Sequence, residues 1–157
     1  MSYRLCFDFE EVEVKSELAS SFKEMFDLDF GFITSIPIGV QFLTRDGTWI
    51  TIEAVFDTGA NISLFSRQIG EEIGIVNFIS HQLSGIARKK ECIIPVKISR
   101  VKVRLIDTEG KISPEFDLWV AFAEESVPHA LGMKDIIQFF DFKTDSKKKR
   151  FYLDWKG

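Results

Sequence analysis

Cysteine is scarce in this chain. Cys6 and Cys92 are the two in 157 residues, and their wide separation excludes a disulfide framework or a cysteine-based metal knuckle, so both read as reduced, buried thiols. Histidine is equally sparse. His81 and His129 stand alone, with no Cys, Asp or Glu at metal-ligand spacing, so neither a metal site nor an organic cofactor is expected. A basic excess is absent too: 20 Lys and Arg against 24 Asp and Glu give a net charge of -4, and the pI is about 5.3. That balance offers no footprint for nucleic acid and no attraction to an anionic membrane surface. Apolar runs are short, the stretch from Phe30 to Val40 being interrupted by Gly31, Pro37 and Gly39, well short of a membrane span. Met1-Ser2-Tyr3-Arg4 lacks the charged and apolar regions of a secretory signal, so a soluble, cytoplasmic protein is the expectation. There is no internal repeat or low-complexity linker. No glycine-rich phosphate loop follows a strand, and Ser84-Gly85 lacks the nucleophile-elbow pattern of a serine hydrolase.

What is present is a chain of one-domain length, 45% hydrophobic, with sixteen Phe that predict a core, and an interface, built from aromatic rings. Residues 1–34 differ from the rest. Leu5-Cys6-Phe7-Asp8-Phe9-Glu10 alternates apolar and acidic side chains as a half-buried strand does, and Val12 and Val14 keep the period. Ser16 then caps a helix with Leu18, Phe22 and Phe26 on one face. This extension reads either as a docked segment covering a sheet edge or as a dimerisation or substrate-selecting element. From Ile36 onward come short β-runs: Ile36 to Leu43, an Arg45-Asp46-Gly47 turn, and Trp49 to Phe56. Ser66 caps a short helix over residues 67–73, with Gly74 as its left-handed stop. Strands follow over Ile79 to Leu83, Cys92 to Ile106 with a break near Ser99, and Phe116 to Ala123. Met133 to Phe140 predicts a short, mostly buried helix, and a terminal hairpin joins Phe140-Asp141-Phe142 to Phe151 to Trp155. Lys147-Lys148-Lys149-Arg150 lies at its tip, where a solvated turn or a nuclear address both fit.

The richest stretch is Phe56-Asp57-Thr58-Gly59-Ala60-Asn61-Ile62-Ser63, a carboxylate on a tight turn between two apolar runs that are expected to bury it. Asp107-Thr108-Glu109-Gly110 is not a second copy, because Glu109 displaces the glycine and the segment reads as a hairpin turn. Together with Ser84-Gly85-Ile86 at a flap hairpin, and Ala130-Leu131-Gly132 followed by a short helix, the order of these motifs resembles the retropepsin-like aspartic proteases across roughly residues 35–155.

That resemblance implies an all-β retropepsin-like acid protease fold, a closed antiparallel β-barrel-like domain with short helices, over residues 35–157, behind an N-terminal strand-helix extension over 1–34. It implies an aspartic endopeptidase working as a homodimer on peptide or protein substrates. Asp57 from each subunit would share one proton and activate a water, with pKa values that belong to the pair. Thr58 would hydrogen-bond the partner's loop, and Gly59 would leave room beside the carboxyls. Ala60, Ser84, Gly85, Ile86 and Ala87 would meet the substrate. Retroviral flaps carry several glycines, whereas here Gly85-Ile86 runs into Ala87, Arg88, Lys89 and Lys90. Ala60 lacks the hydroxyl that pepsin-like enzymes place beside the carboxylate, so a less acidic working range than pepsin's is expected. Phe151 to Trp155 falls where retroviral subunits interleave their ends, and equally suits an edge strand of its own domain. The alternative function is a catalytically weak or inactive dimeric binding or assembly module on the same fold.

Overall fold

The computed structural model describes residues 3–13, 32–83, 93–124 and 127–157. The expected helix over 16–26, the flap residues Ser84 to Ala87, the basic run after them and Cys92 lie outside the described residues.

The first hairpin forms as its pattern dictates. β4 (Pro37–Leu43) pairs antiparallel with β5 (Trp49–Phe56) in unbroken register from Pro37 opposite Val55 to Leu43 opposite Trp49. Its turn places Gly47 at φ 86°, and Asp46 accepts from the Thr48 amide and hydroxyl at 3.3 and 2.8 Å. Hydrogen bonds from Thr44 and Thr48 hold the Asp46 carboxyl below its ordinary pKa.

After the 57–62 turn come β6 (Ser63–Ser66) and helix α1 (Arg67–Ile73). Ser66 occupies the N-cap position, but its side chain makes no capping bond. Gly74 ends α1 in the left-handed conformation expected of it, at φ 73° and ψ 47°. β7 (Ile79–Leu83) pairs with the start of β8 (Ile94–Ile106), and β8 pairs with β9 (Phe116–Ala123). The expected break at Ser99 does not occur. Ser99 is buried with its hydroxyl donating to the Asn77 carbonyl at 2.7 Å, so β8 carries a polar residue inward while its ladder to β9 continues.

A two-residue strand, β10 (Ala130–Leu131), completes the main sheet in the order β4-β5-β10-β6-β9-β8-β7. β4 also pairs with the far end of β8, so β4, β5, β10, β6, β9 and β8 form a closed ring of hydrogen-bonded strands with β7 outside it. Most of these pairings are antiparallel as expected. Two are not: β10 runs parallel to β5 and β6 runs parallel to β9, because the chain crosses over instead of folding back at those points.

Helix α2 (Met133–Phe139), shorter than expected by one residue, buries Ile136 but leaves Ile137 46% exposed. β11 (Phe140–Asp145) and β12 (Arg150–Trp155) form the terminal hairpin. β1 (Tyr3–Asp8) covers the other side of β12 over six paired residues, giving a three-stranded sheet in the order β1-β12-β11. A further pair, β2 (Glu10–Glu13) with β3 (Phe32–Ser35), stands apart. With a strand on each side of it, β12 makes Phe151 to Trp155 the central strand of this sheet, where an edge strand was the own-domain expectation.

The aromatic count resolves into packing. Phe7, Phe42, Phe65, Phe122, Phe140 and Phe151 are fully buried. Each such ring contributes roughly 1.5–3 kcal/mol through the apolar area it removes from water. Phe42 meets Phe65 edge to face at 4.9 Å, while Phe116, Phe139, Phe140 and Trp155 bind α2 to the terminal sheet. Cys6 is a free thiol, half-buried where full burial was expected, because it lies on the face of β1 turned away from the core. Among the described residues, no helix is long and apolar enough to cross a membrane, and no cluster of His, Cys, Asp and Glu is arranged to hold a metal ion.

Candidate active site

β5 ends on buried Phe56, and the chain then turns through Asp57-Thr58-Gly59. The Ala60 amide donates to the Asp57 carbonyl at 3.2 Å, and the Gly59 amide to Asp57 Oδ1 at 2.9 Å. A Cβ on Gly59 would sit 3.3 Å from that same oxygen, so the glycine lets backbone pass close beside the carboxylate.

The apolar-apolar-glycine segment grips the turn from behind. β10 threads between the two legs of the Asp57 turn, with Ala130 opposite Val55 on one side and Leu64 on the other. The amides of Val55 and Asp57 donate to the carbonyls of His129 and Leu131, each at 3.0 Å. Gly132 follows at a point where a Cβ would lie 2.6 to 2.8 Å from backbone atoms of Ile62 and Asn61, so no side chain fits. Beyond it, the Met133 and Lys134 amides donate to the carbonyls of Ala60 and Asn61 at 2.8 and 3.0 Å. The first turn of α2 thereby finds acceptors for donors that a helix leaves unpaired, and the loop after Asp57 is fixed by the same bonds.

Two polar residues in this frame had no role assigned by sequence reasoning. Ser63 is buried, and its hydroxyl oxygen accepts the Gly132 amide at 2.9 Å, tying β6 to the threaded segment. Its signal was parity: Ser63 and Phe65 point the same way on β6, so a serine there faces inward and must find a partner. Asp135, buried on α2, accepts the Trp119 amide at 2.7 Å and so links the helix to β9. Burial pushes its carboxyl above the ordinary range, against the opposing pull of that amide and of Lys134.

The turn itself differs from expectation in one respect. Asp57, Thr58 and Gly59 are exposed and Ala60 is half-buried, the buried residues on either side, Phe56 and Ser63, packing into the ring beneath. Among the described residues, the Gly59 amide is the one hydrogen-bond partner of the Asp57 carboxylate, and the Thr58 hydroxyl has none. Asp107 behaves in the opposite way, as its hairpin reading predicts: buried, it accepts the amides of Cys6, Glu109 and Lys111 at 3.0, 2.9 and 2.8 Å and shapes its own turn, with Gly110 at φ 83°. β7 and β8 form the paired arms on which Ser84, Gly85, Ile86 and Ala87 would be carried, the last described pair being Leu83 opposite Ile94. His129 stacks on Phe65 with ring centroids 5.3 Å apart, a packing role.

No protein-family model and no curated protein matches the chain. Among solved structures, it is similar to a retropepsin-like aspartic protease from Rickettsia conorii, with a TM-score of 0.49 and 13% identity over 95% of this chain and 94% of that one.

Proposed function

We propose that this chain is one half of an aspartic endopeptidase, completed when Asp57 of a second copy meets its own. The observation that carries the reading is the state of Asp57. It is an exposed carboxylate on a turn immobilised from below by β10, Gly132 and Ser63, with one oxygen oriented by the Gly59 amide. An Asp that merely shaped its loop would be spent on backbone amides, as the buried Asp107 is with three of them. Here the scaffold holds the group still and leaves it facing outward, as a reacting group requires.

In the paired state one carboxyl is protonated and one ionised, since two like charges in contact do not both persist. The ionised member takes a proton from water as the water oxygen attacks the peptide carbonyl carbon, and the protonated member donates to the carbonyl oxygen. Collapse of the tetrahedral diol breaks the C–N bond as a proton passes to the leaving amine. Thr58 bridges to the partner's turn, and Ala60 with Ser84, Gly85, Ile86 and Ala87 contacts an extended peptide bound like an added strand. No metal or cofactor takes part in this scheme.

The test is cleavage of a peptide library by the purified chain, alongside light scattering. Cleavage that is blocked by a statine-type inhibitor and lost in Asp57→Asn, with folding and dimer retained, is the expected result. A folded wild-type dimer inert to every peptide would instead identify a binding or assembly module, and turnover surviving Asp57→Asn would remove the catalytic assignment.

A further inference from the structure

We propose that the outer edge of β11 is the seam on which the second copy docks, by antiparallel pairing of β11 with itself about a two-fold axis at Phe142. This rests on the reading that two Asp57 turns must meet, and it says which surface brings them together.

Among the described residues, β11 is the end strand of its sheet, and Asp141 to Thr144 are all exposed. Which backbone groups face outward follows from the register. The Lys156 amide donates to the Phe139 carbonyl at 2.9 Å, which extends the β11–β12 ladder by one pair and makes the odd-numbered residues of β11 the ones bonded to β12. In an antiparallel ladder the alternate residues point away, so the N–H and C=O groups of Phe142 and Thr144 face the open edge.

The side chains of that edge are self-complementary in one register. With Phe142 opposite Phe142 of the second copy, Asp141 stands opposite Lys143 and Lys143 opposite Asp141, giving two ion pairs on one face. Shifting the pairing by two residues either way sets Asp141 against itself, or Lys143 against itself with Asp141 against Asp145. A shift of one residue puts core-facing side chains opposite solvent-facing ones. A lone lysine commonly guards an edge strand against pairing, but an acid two residues away turns the same edge into a match for its own copy.

The apolar face gives the second argument. Phe140, Phe142, Phe151 and Leu153 share the core-facing side of the sheet, yet Phe142 is 44% exposed, because the layer ends there. Its ring packs 5.9 Å from Phe56, the residue before Asp57, and 6.1 Å from Phe151. A second Phe142 across the axis continues this layer directly beside the strand that carries the Asp57 turn. β1, the other end strand, has its outward Cys6 amide and carbonyl bound to Asp107 and the Thr108 amide at 3.0 and 3.3 Å, so among the described residues β11 is the terminal-sheet strand with room for a partner.

Sedimentation equilibrium over a range of protein concentrations tests the seam in wild type, Lys143→Asp and the double reversal Asp141→Lys/Lys143→Asp, with circular dichroism confirming folding. Lys143→Asp sets acid against acid in both cross-axis pairs and is expected to weaken the dimer by about tenfold or more, while the double reversal restores it, as for cross-strand charge pairs. A dimer indifferent to Lys143→Asp, or a double reversal as weak as the single, overturns the seam and leaves the Asp57 pairing intact. A dimer that follows the charge swaps but cleaves nothing upholds the seam and overturns the catalysis. A wild-type monomer at every concentration overturns both.

Discussion

Replacing Gly132 by alanine places a methyl carbon 2.6 Å from the Ile62 carbonyl carbon, 2.7 Å from its oxygen and 2.8 Å from the Asn61 oxygen. The sign of the outcome is informative. Gly132 has φ -82° and ψ 168°, a conformation open to any residue, so by the unfolded-state entropy argument alone alanine would stabilise by about 0.4–1 kcal/mol. The steric argument predicts the reverse. All three obstructing atoms are backbone, so no rotamer change relieves them, and either β10 or the 60–62 loop must move. That movement strains the bonds of Gly132 to Ser63, Met133 to Ala60 and Lys134 to Asn61, each worth about 1 kcal/mol net. With overpacking of this kind costing about 1–3 kcal/mol, the variant is expected to lose about 3 kcal/mol. Urea unfolding followed by fluorescence measures it. A midpoint at or above that of wild type would refute the claim that the threaded segment leaves no space. If the chain also cleaves peptides, displacing the turn by an ångström is expected to cut kcat about 100-fold.

The other predictions concern the polar residues. Ser63→Ala leaves the buried Gly132 amide without an acceptor and is expected to cost about 1–3 kcal/mol in the same urea assay. Asp107→Ala strips three amides of their acceptor and is expected to lower stability by about 1–3 kcal/mol while leaving peptide cleavage intact; Asp57→Asn is expected to do the opposite, and a common effect on both readouts would erase the distinction between the two turns. Asp135 has a folded pKa raised above its ordinary 3.8 by burial, so the folded state prefers the protonated acid. Its contribution to stability is therefore complete below pH 3.8 and is lost as pH rises through the folded value. Urea midpoints from pH 3 upward are expected to show wild type losing stability relative to Asp135→Asn as pH rises, and a difference that stays constant with pH would contradict it.

The hairpins, the α1 stop at Gly74 and the terminal β11–β12 pair were legible because each depends on neighbouring residues: a turn signal between two alternating runs, or a glycine at a left-handed position. The Asp57 turn was legible as a motif for the same reason. Its exposure was not, since whether a turn is covered depends on what packs above it, and flanking hydrophobicity reports only what packs below. Ser99 was misjudged by the same logic, because a serine breaks a strand or joins it according to whether a carbonyl such as that of Asn77 awaits it. Ser63 and Asp135 went unassigned because their partners, Gly132 and Trp119, lie far off in the chain. The two parallel pairings escaped notice for want of any local sign of a crossover.

The two residues of β10 have a consequence for how the molecule comes into being. Positions 130 and 131 bond to 55, 56 and 64, so the cradle of Asp57 depends on a closure between distant parts of the chain that local hairpins do not assist. Long-range contacts of this kind are entropically dear and tend to form late. The first hairpin and α1 can assemble well before the acid is locked in position. The fixed placement of Asp57 is thus a product of the final stage of folding, and a nascent chain lacking residue 130 carries the motif without its support.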